Sequence, residues 1–77
     1  MRHASTIEGL RSRLHSAFLD SGKTAKQVQL ETGISKSLFY THLRGDGTPN
    51  ALHLARYATA LKVSTDWLLG LKKEVAP

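Results

Sequence analysis

The segment from Gly33 to Gly45, "GISKSLFYTHLRG", mixes apolar and polar side chains with no obvious order along the chain. The two kinds separate onto opposite sides only if the segment is a helix. With about 100° of rotation per residue, one side of a helix over 36–44 is apolar except for His42. The opposite side contains only polar residues, namely Lys36, Ser37, Tyr40, Thr41 and Arg44. It carries two cations, three hydroxyls and no carboxylate, whereas a solvated surface usually mixes both charge signs. The segment therefore predicts a two-faced helix whose polar side needs an explanation beyond solvation.

Capping residues and apolar spacing predict further helices on both sides of this segment, at about 6–22, 25–32, 50–61 and 65–70. Thr24 is a good N-cap and Gly33 a good left-handed C-terminal residue. "GDGTPN" breaks the chain after Gly45, and no alternating strand pattern is present. The sequence thus predicts an all-α fold and a single domain over 1–77, with its core at about 6–71 and a frayed tail at 72–77.

The same spacing predicts which side chains are buried. The first helix is expected to bury a stripe of apolar residues from Ile7 to Phe18, whereas Leu30 points away from the core and is left unexplained. His42 is interpreted as a packed neutral imidazole in preference to a pH switch or a ligand. The fourth helix is expected to place Tyr57 at the edge of its buried stripe and to bury Ala51, Leu54, Ala55, Ala58 and Leu61.

Length and charge restrict the function. A chain of 77 residues with no Cys has room for one small core and no deep pocket. It contains no nucleophile paired with a base, no phosphate loop and no metal-ligand spacing among its four His, so we expect no enzyme, cofactor or metal. The net charge of +5 favours an anionic partner. Without a signal peptide or an apolar span, the protein is expected to be cytoplasmic, without a membrane partner.

Two short helices joined through a glycine turn, with an acid-free outer side on the second, match the helix-turn-helix plan for binding DNA. The first helix braces the second, the turn tolerates a positive φ, and the second helix presents its free side to the major groove. A plain helical bundle also contains such pairs, and that alternative stays open at this stage.

The order of motifs adds a family resemblance. "TAKQVQLETGISKSLFYTHLRGDGTPN" followed by "LARYATALKVSTDWLLG" resembles the Cro and phage-repressor helix-turn-helix family, also called the XRE family, from about Ile7 to Leu71. The shared features are the "GIS" turn, the G-x-x-x-P loop and the segment A-L-x-V-S-x-D-W-L-L-G. The resemblance implies a compact, lambda-repressor-like bundle of five helices that binds DNA operators as a transcriptional regulator, commonly as a dimer.

Carried onto this sequence, the resemblance implies DNA contacts at the start and polar side of the third helix. The expected base contacts are Ser35, Lys36, Ser37, Tyr40 and Thr41. The expected phosphate contacts are Thr24, Lys26, Arg44, Thr48 and Asn50. Three positions depart from the family pattern: Ala25 replaces a frequent Gln, Gln29 replaces an inner Ala, and Lys62 replaces a common Gly and is expected to strain its corner.

Partners follow from these expectations. The principal partner is a double-stranded DNA operator, which implies a nucleoid-associated location. A weak homodimer is expected through Leu52, Trp67, Leu68 and Leu71. The alternative is a helix-turn-helix module that binds protein, such as an antirepressor or an antitoxin, and the leucines Leu30 and Leu52, outside the core stripes, favour it.

Overall fold

The computed structural model describes residues 6–76, which form five α-helices and no strand. The helices are α1 (Ile7–Ser21), α2 (Ala25–Thr32), α3 (Lys36–Arg44), α4 (Ala51–Leu61) and α5 (Thr65–Leu68). The radius of gyration is 11.4 Å, close to the roughly 11.5 Å expected for a compact folded chain of this length. The all-α prediction is confirmed, although α5 ends earlier than predicted. Residues 1–5 and 77 of the predicted domain lie outside the described residues.

Local chemistry explains where the helices begin and end. Each helix starts with a side-chain oxygen that accepts a hydrogen bond from an amide of the first turn; the capping residues are Thr6, Thr24, Ser35, Asn50 and Ser64. The first three helices end at glycines in the left-handed conformation, Gly22, Gly33 and Gly45, which glycine adopts without steric cost.

Three aromatic rings form the centre of the core. Phe39 of α3 is fully buried and meets Phe18 of α1 edge-on, with ring centroids 5.0 Å apart. Its ring also lies 5.6 Å from that of Tyr57 of α4. Such pairs contribute about 0.5–1.5 kcal/mol beyond the area that they bury. The three rings therefore attach α3 to both α1 and α4.

The prediction for the buried side of α4 was partly wrong. Tyr57 is completely buried rather than at the edge, and Ala60 is buried beside it. Because this large ring occupies the core, the buried arc of α4 is rotated toward it, and both Ala51 and Ala55 are exposed. Ile7 is also exposed, since it is the first residue of α1 and lies at the end of the bundle.

Long cationic side chains connect the helices. Lys23, just before α2, donates to the Ala60 carbonyl at the end of α4 (2.6 Å) and pairs with Glu31 (2.6 Å). Arg13 of α1 donates through Nε to the Leu68 carbonyl of α5 (2.9 Å). These contacts satisfy carbonyls at helix C-termini that lack intrahelical partners, so both cations serve the fold.

The tail is not simply frayed. Residues 72–76 contain no helix, but the Val75 carbonyl accepts a hydrogen bond from the Ser64 amide at 2.8 Å. This part of the tail therefore folds back onto the N-cap of α5.

Lys62 adopts the left-handed backbone conformation in which strain is expected at this corner. It ends α4 with φ 58° and ψ 45°, and it is the one non-glycine residue with a positive φ in the described range 6–76. A Cβ in this conformation costs roughly 1–2 kcal/mol, which makes the corner a weak point of the fold.

Substitution of Lys62 by Gly should stabilise the protein. Relief of the left-handed strain outweighs the extra unfolded-state entropy of glycine, so we expect the free energy of unfolding to rise by about 0.5–1 kcal/mol. Urea unfolding of Lys62→Gly measures this change, and Lys62→Ala is the matched control because it removes the same side chain but keeps the Cβ. Equal stability of the two variants would show that the conformation carries no strain.

Candidate nucleic-acid interface

The predicted two-faced character of α3 is present in the structure. Phe39, His42 and Leu43 are buried on the inner side. On the outer side four of the five predicted residues are exposed, Tyr40 by 45%, and Thr41 is half-buried. We call Lys36, Ser37, Tyr40, Thr41 and Arg44 the outer face of α3.

The N-terminal end of the outer face is available for hydrogen bonding. The Ser35 hydroxyl oxygen accepts from the Leu38 amide (3.2 Å), which leaves its O–H free to donate. Lys36 and Ser37 follow, both exposed. Within residues 6–76 no carboxylate lies at ion-pair distance from Lys36. This end thus combines a free ammonium group, two hydroxyl groups and a helix N-terminus, which together favour an anion or a base-edge acceptor.

The C-terminal end of the outer face is more constrained. The Thr41 hydroxyl donates to the Ser37 carbonyl (3.0 Å), and Arg44 pairs with Asp46 (Nε to Oδ2, 2.9 Å). Asp46 lies beyond the helix, so helical spacing could not reveal that an acid lies beside the outer face. Both side chains of this ion pair are largely exposed, and such a pair contributes little. A phosphate could therefore compete with Asp46 for Arg44.

A capping box organises the start of α2. The Thr24 hydroxyl accepts from the Gln27 amide (3.2 Å), and the Gln27 side chain accepts from the Thr24 amide (2.8 Å). The first-turn amides of Ala25 and Lys26 remain directed out of the helix end. Sequence reasoning found the Thr24 cap but missed Gln27, although the T-x-x-Q spacing is a known capping signal.

The other two predicted phosphate contacts, Asn50 and Thr48, differ in the donor groups that they leave available. The Asn50 side-chain oxygen accepts from the His53 amide (2.8 Å), so its NH₂ group remains a donor. Thr48 is exposed and lines a shallow apolar groove of about 200 Å³ with Ile7, Leu10 and Leu69. Of the two, Asn50 presents the better donor.

Arg56 is a cation that sequence reasoning missed. It is exposed on α4, and a Cβ placed on Gly33 would lie 3.9 Å from its Nη1. The side chain therefore lies beside the turn between α2 and α3. No spacing within α4 could indicate this, because the position depends on how α4 packs against α2.

The predicted dimer residues do not share one environment. Leu68 has no exposed surface and belongs to the core, so its assignment to a dimer contact was wrong. The reason is that the single turn of α5 directs this side chain inward. Trp67 is half-buried against the core, whereas Leu52 and Leu71 are exposed.

His42 is packed in the core as interpreted from the sequence, but its buried contact with Tyr57 also gives it the pH dependence that this interpretation set aside. Its ring is only 4% exposed, and its Nδ1 lies 2.6 Å from the Tyr57 hydroxyl. Burial, with a smaller contribution from His53, lowers the pKa of His42 below its usual value. The ring is therefore neutral at pH 7.

Comparisons of this chain with family models, with curated proteins and with solved structures find no match. Within residues 6–76, no three His, Asp or Glu side chains group in a way that could hold a metal ion. None of the five helices in that range has the length and apolar character needed to cross a membrane.

Replacement of Ser35 by Ala should destabilise the protein by about 0.5–2 kcal/mol, since the Leu38 amide loses its acceptor. Ser35→Asp should restore the cap and most of the stability, because aspartate caps as well as serine. Urea unfolding measures both changes, with the exposed Ser37→Ala as the matched control. A Ser35→Ala variant as stable as Ser37→Ala would show that the cap contributes nothing.

Proposed function

We propose that this protein is a sequence-specific, double-stranded DNA-binding transcriptional regulator of the repressor type. In this proposal α2 and α3 form the helix-turn-helix, and α3 enters the major groove. The observation that carries the proposal is the division of α3, which fixes one side in the aromatic core and exposes Lys36, Ser37 and Tyr40 on the other. An α-helix fits the major groove, where side chains reach base edges.

The chemistry of the outer face suggests separate roles. Lys36 carries a free ammonium group that can donate to guanine O6 or N7, and Ser37 can contact any base edge. The half-exposed Tyr40 ring can contact a thymine methyl. Ser35 keeps its cap and can donate its O–H, and Thr41, already bonded to the Ser37 carbonyl, offers mainly its methyl group.

Backbone contacts would hold α3 in register. The first-turn amides of α2, with Thr24 and the Lys26 charge, suit one phosphate. Arg44 can bind a second phosphate when it exchanges its Asp46 partner for that phosphate. The Asn50 NH₂ group can donate a hydrogen bond to a third phosphate. Such contacts position a protein on DNA without selecting sequence.

Membership of the Cro and phage-repressor family forms part of the same proposal. The motifs that carry the resemblance coincide with observed caps and turns: Ser35 and Ser64 cap α3 and α5, and Gly33 ends α2. Lys62 departs from the family pattern in residue type, because the family commonly has Gly there. Its backbone nevertheless adopts the left-handed conformation that suits glycine. At the start of α2 the chain has Ala25 where the family often has Gln, and the capping box there is formed by Thr24 and Gln27.

DNA binding should weaken steeply with salt. Each phosphate neutralised by the protein contributes a slope of about −0.9 in log affinity against log salt. Arg44→Ala should weaken binding to all duplexes and reduce the slope by about one unit. Lys73→Ala, which removes the same charge from the tail, is the matched control and should change the slope less. Fluorescence anisotropy with a labelled random duplex at several salt concentrations measures both slopes.

A flat salt response of the parent protein would contradict the DNA-binding proposal. Equal slopes for Arg44→Ala and the parent would leave DNA binding intact and remove Arg44 from the contacts.

A weak homodimer should complete the site. A helix of nine residues reaches only a few base pairs, too few to select one site among the roughly 10⁶ or more in a genome. A two-fold dimer would place two copies of α3 about 34 Å apart on an inverted repeat. Of the predicted dimer residues, Leu71 and Leu52 are exposed and Trp67 half-exposed.

Analytical ultracentrifugation at high protein concentration should show self-association of the parent that is lost in Leu71→Asp. Leu30→Asp, at a leucine exposed on α2, is the control and should behave like the parent. Association that persists in Leu71→Asp would contradict this interface, and one protomer on a symmetric duplex would contradict the dimer itself.

A protein-binding module is the second candidate, and one observation favours it. Leu30 is 74% exposed on α2, and Leu52 is exposed as well; exposed leucines of this kind can form an interface. An antirepressor or antitoxin partner bound there would be held by apolar contacts, which respond weakly to salt. The salt titration therefore separates the two candidates.

A further inference from the structure

Buried between α3 and α4 lies a contact that can respond to acid. His42 of α3 and Tyr57 of α4 are joined by a 2.6 Å hydrogen bond, and their rings meet edge-on with centroids 5.7 Å apart. The ring of His53, also on α4, lies 6.0 Å from that of His42. None of these three side chains belongs to the outer face of α3.

The direction of the hydrogen bond follows from burial. Tyr57 is fully buried, and burial raises the pKa of its hydroxyl, which therefore keeps its proton. Nδ1 of His42 is the acceptor that the structure offers this hydroxyl. Tyr57 thus donates to Nδ1, and the neutral imidazole carries its proton on Nε2.

Protonation of His42 would disrupt this arrangement. Both ring nitrogens would then be donors, so the Tyr57 hydroxyl would lose its acceptor. It could turn to accept from Nδ1–H, but its own hydrogen would then be buried without a partner, at a cost. The new positive charge would also be buried, and it would lie close to a second imidazole.

No compensating carboxylate faces the ring among the described residues. The titratable groups on the helices around His42 are Tyr57, His53 and Arg56 on α4, Glu8, Arg11, Arg13, His15 and Asp20 on α1, and Lys26 and Glu31 on α2. All three carboxylates in this set are exposed, and two of them are already paired, Glu8 with Arg11 and Glu31 with Lys23. On α1, Arg11 donates to the carbonyl of Leu43, the residue after His42, at 3.4 Å.

We infer that the His42–Tyr57 contact is an acid-sensitive latch that holds α3 against α4 when His42 is neutral and weakens when it is protonated. This inference does not depend on the proposed function. If α3 binds DNA as proposed, weakening of the latch in acid would lower the affinity of the protein for its specific DNA site.

The sign of the effect follows from linkage. His42 has a native pKa below its usual value of 6.5, so the unfolded chain binds more protons between the native pKa and 6.5. The contribution of neutral His42 to the free energy of unfolding is therefore fully present above about pH 6.5. It decreases as the pH falls toward the native pKa. For one linked proton the unfolding equilibrium constant rises by at most about tenfold per pH unit in this window.

Urea unfolding between pH 7.5 and pH 5 tests the latch. The parent should lose stability below about pH 6.5, and the double variant His42→Leu/Tyr57→Phe should lack this component, because removal of both polar partners leaves no buried group unsatisfied. His15→Gln removes an exposed imidazole and should retain the pH dependence of the parent. An identical pH dependence in the double variant and the parent would overturn the inference.

An NMR titration of the imidazole C–H signals in the parent provides a test that needs no variant to fold. His42 should titrate below 6.5 or remain neutral to the acid limit of the fold, and a midpoint at or above 6.5 would overturn the inference. His53→Gln should move a measurable midpoint upward, since it removes the neighbouring charge.

Discussion

The burial of Phe39 in the core fixes the rotation of α3 about its axis. Its ring is enclosed between Phe18 and Tyr57, so α3 cannot rotate about its axis without breaking the aromatic core. A helix fixed in this way must present its opposite side to solvent. The position of the outer face of α3 is therefore a consequence of the core, whereas its polar, cationic composition is not explained by stability.

The sequence predicted the helices well because caps and glycines act locally. Thr24, Ser35 and Gly33 determine helix ends through hydrogen bonds and backbone freedom within a few residues, so their effect can be deduced without the fold. The two sides of α3 were predictable for the same reason, since they depend only on helical rotation.

Features that depend on packing could not be predicted. The burial of Tyr57 and Leu68, the approach of Arg56 to Gly33 and the return of Val75 to Ser64 all join residues on different elements. Asp46 escaped notice because it follows the helix, yet it pairs with Arg44. In the candidate site, sequence therefore identified the residues of the outer face, but not which of their donors are already engaged.

The proposed selection of a DNA sequence by the outer face of α3 can be measured by selecting bound sites from random duplexes with the parent and with Lys36→Ala. We expect an enriched site for the parent, with preference lost at one or two positions in the variant, at a cost of about 1–3 kcal/mol on the parent's site. No enriched sequence for the parent, or the same ranking of sites by both proteins, would contradict it.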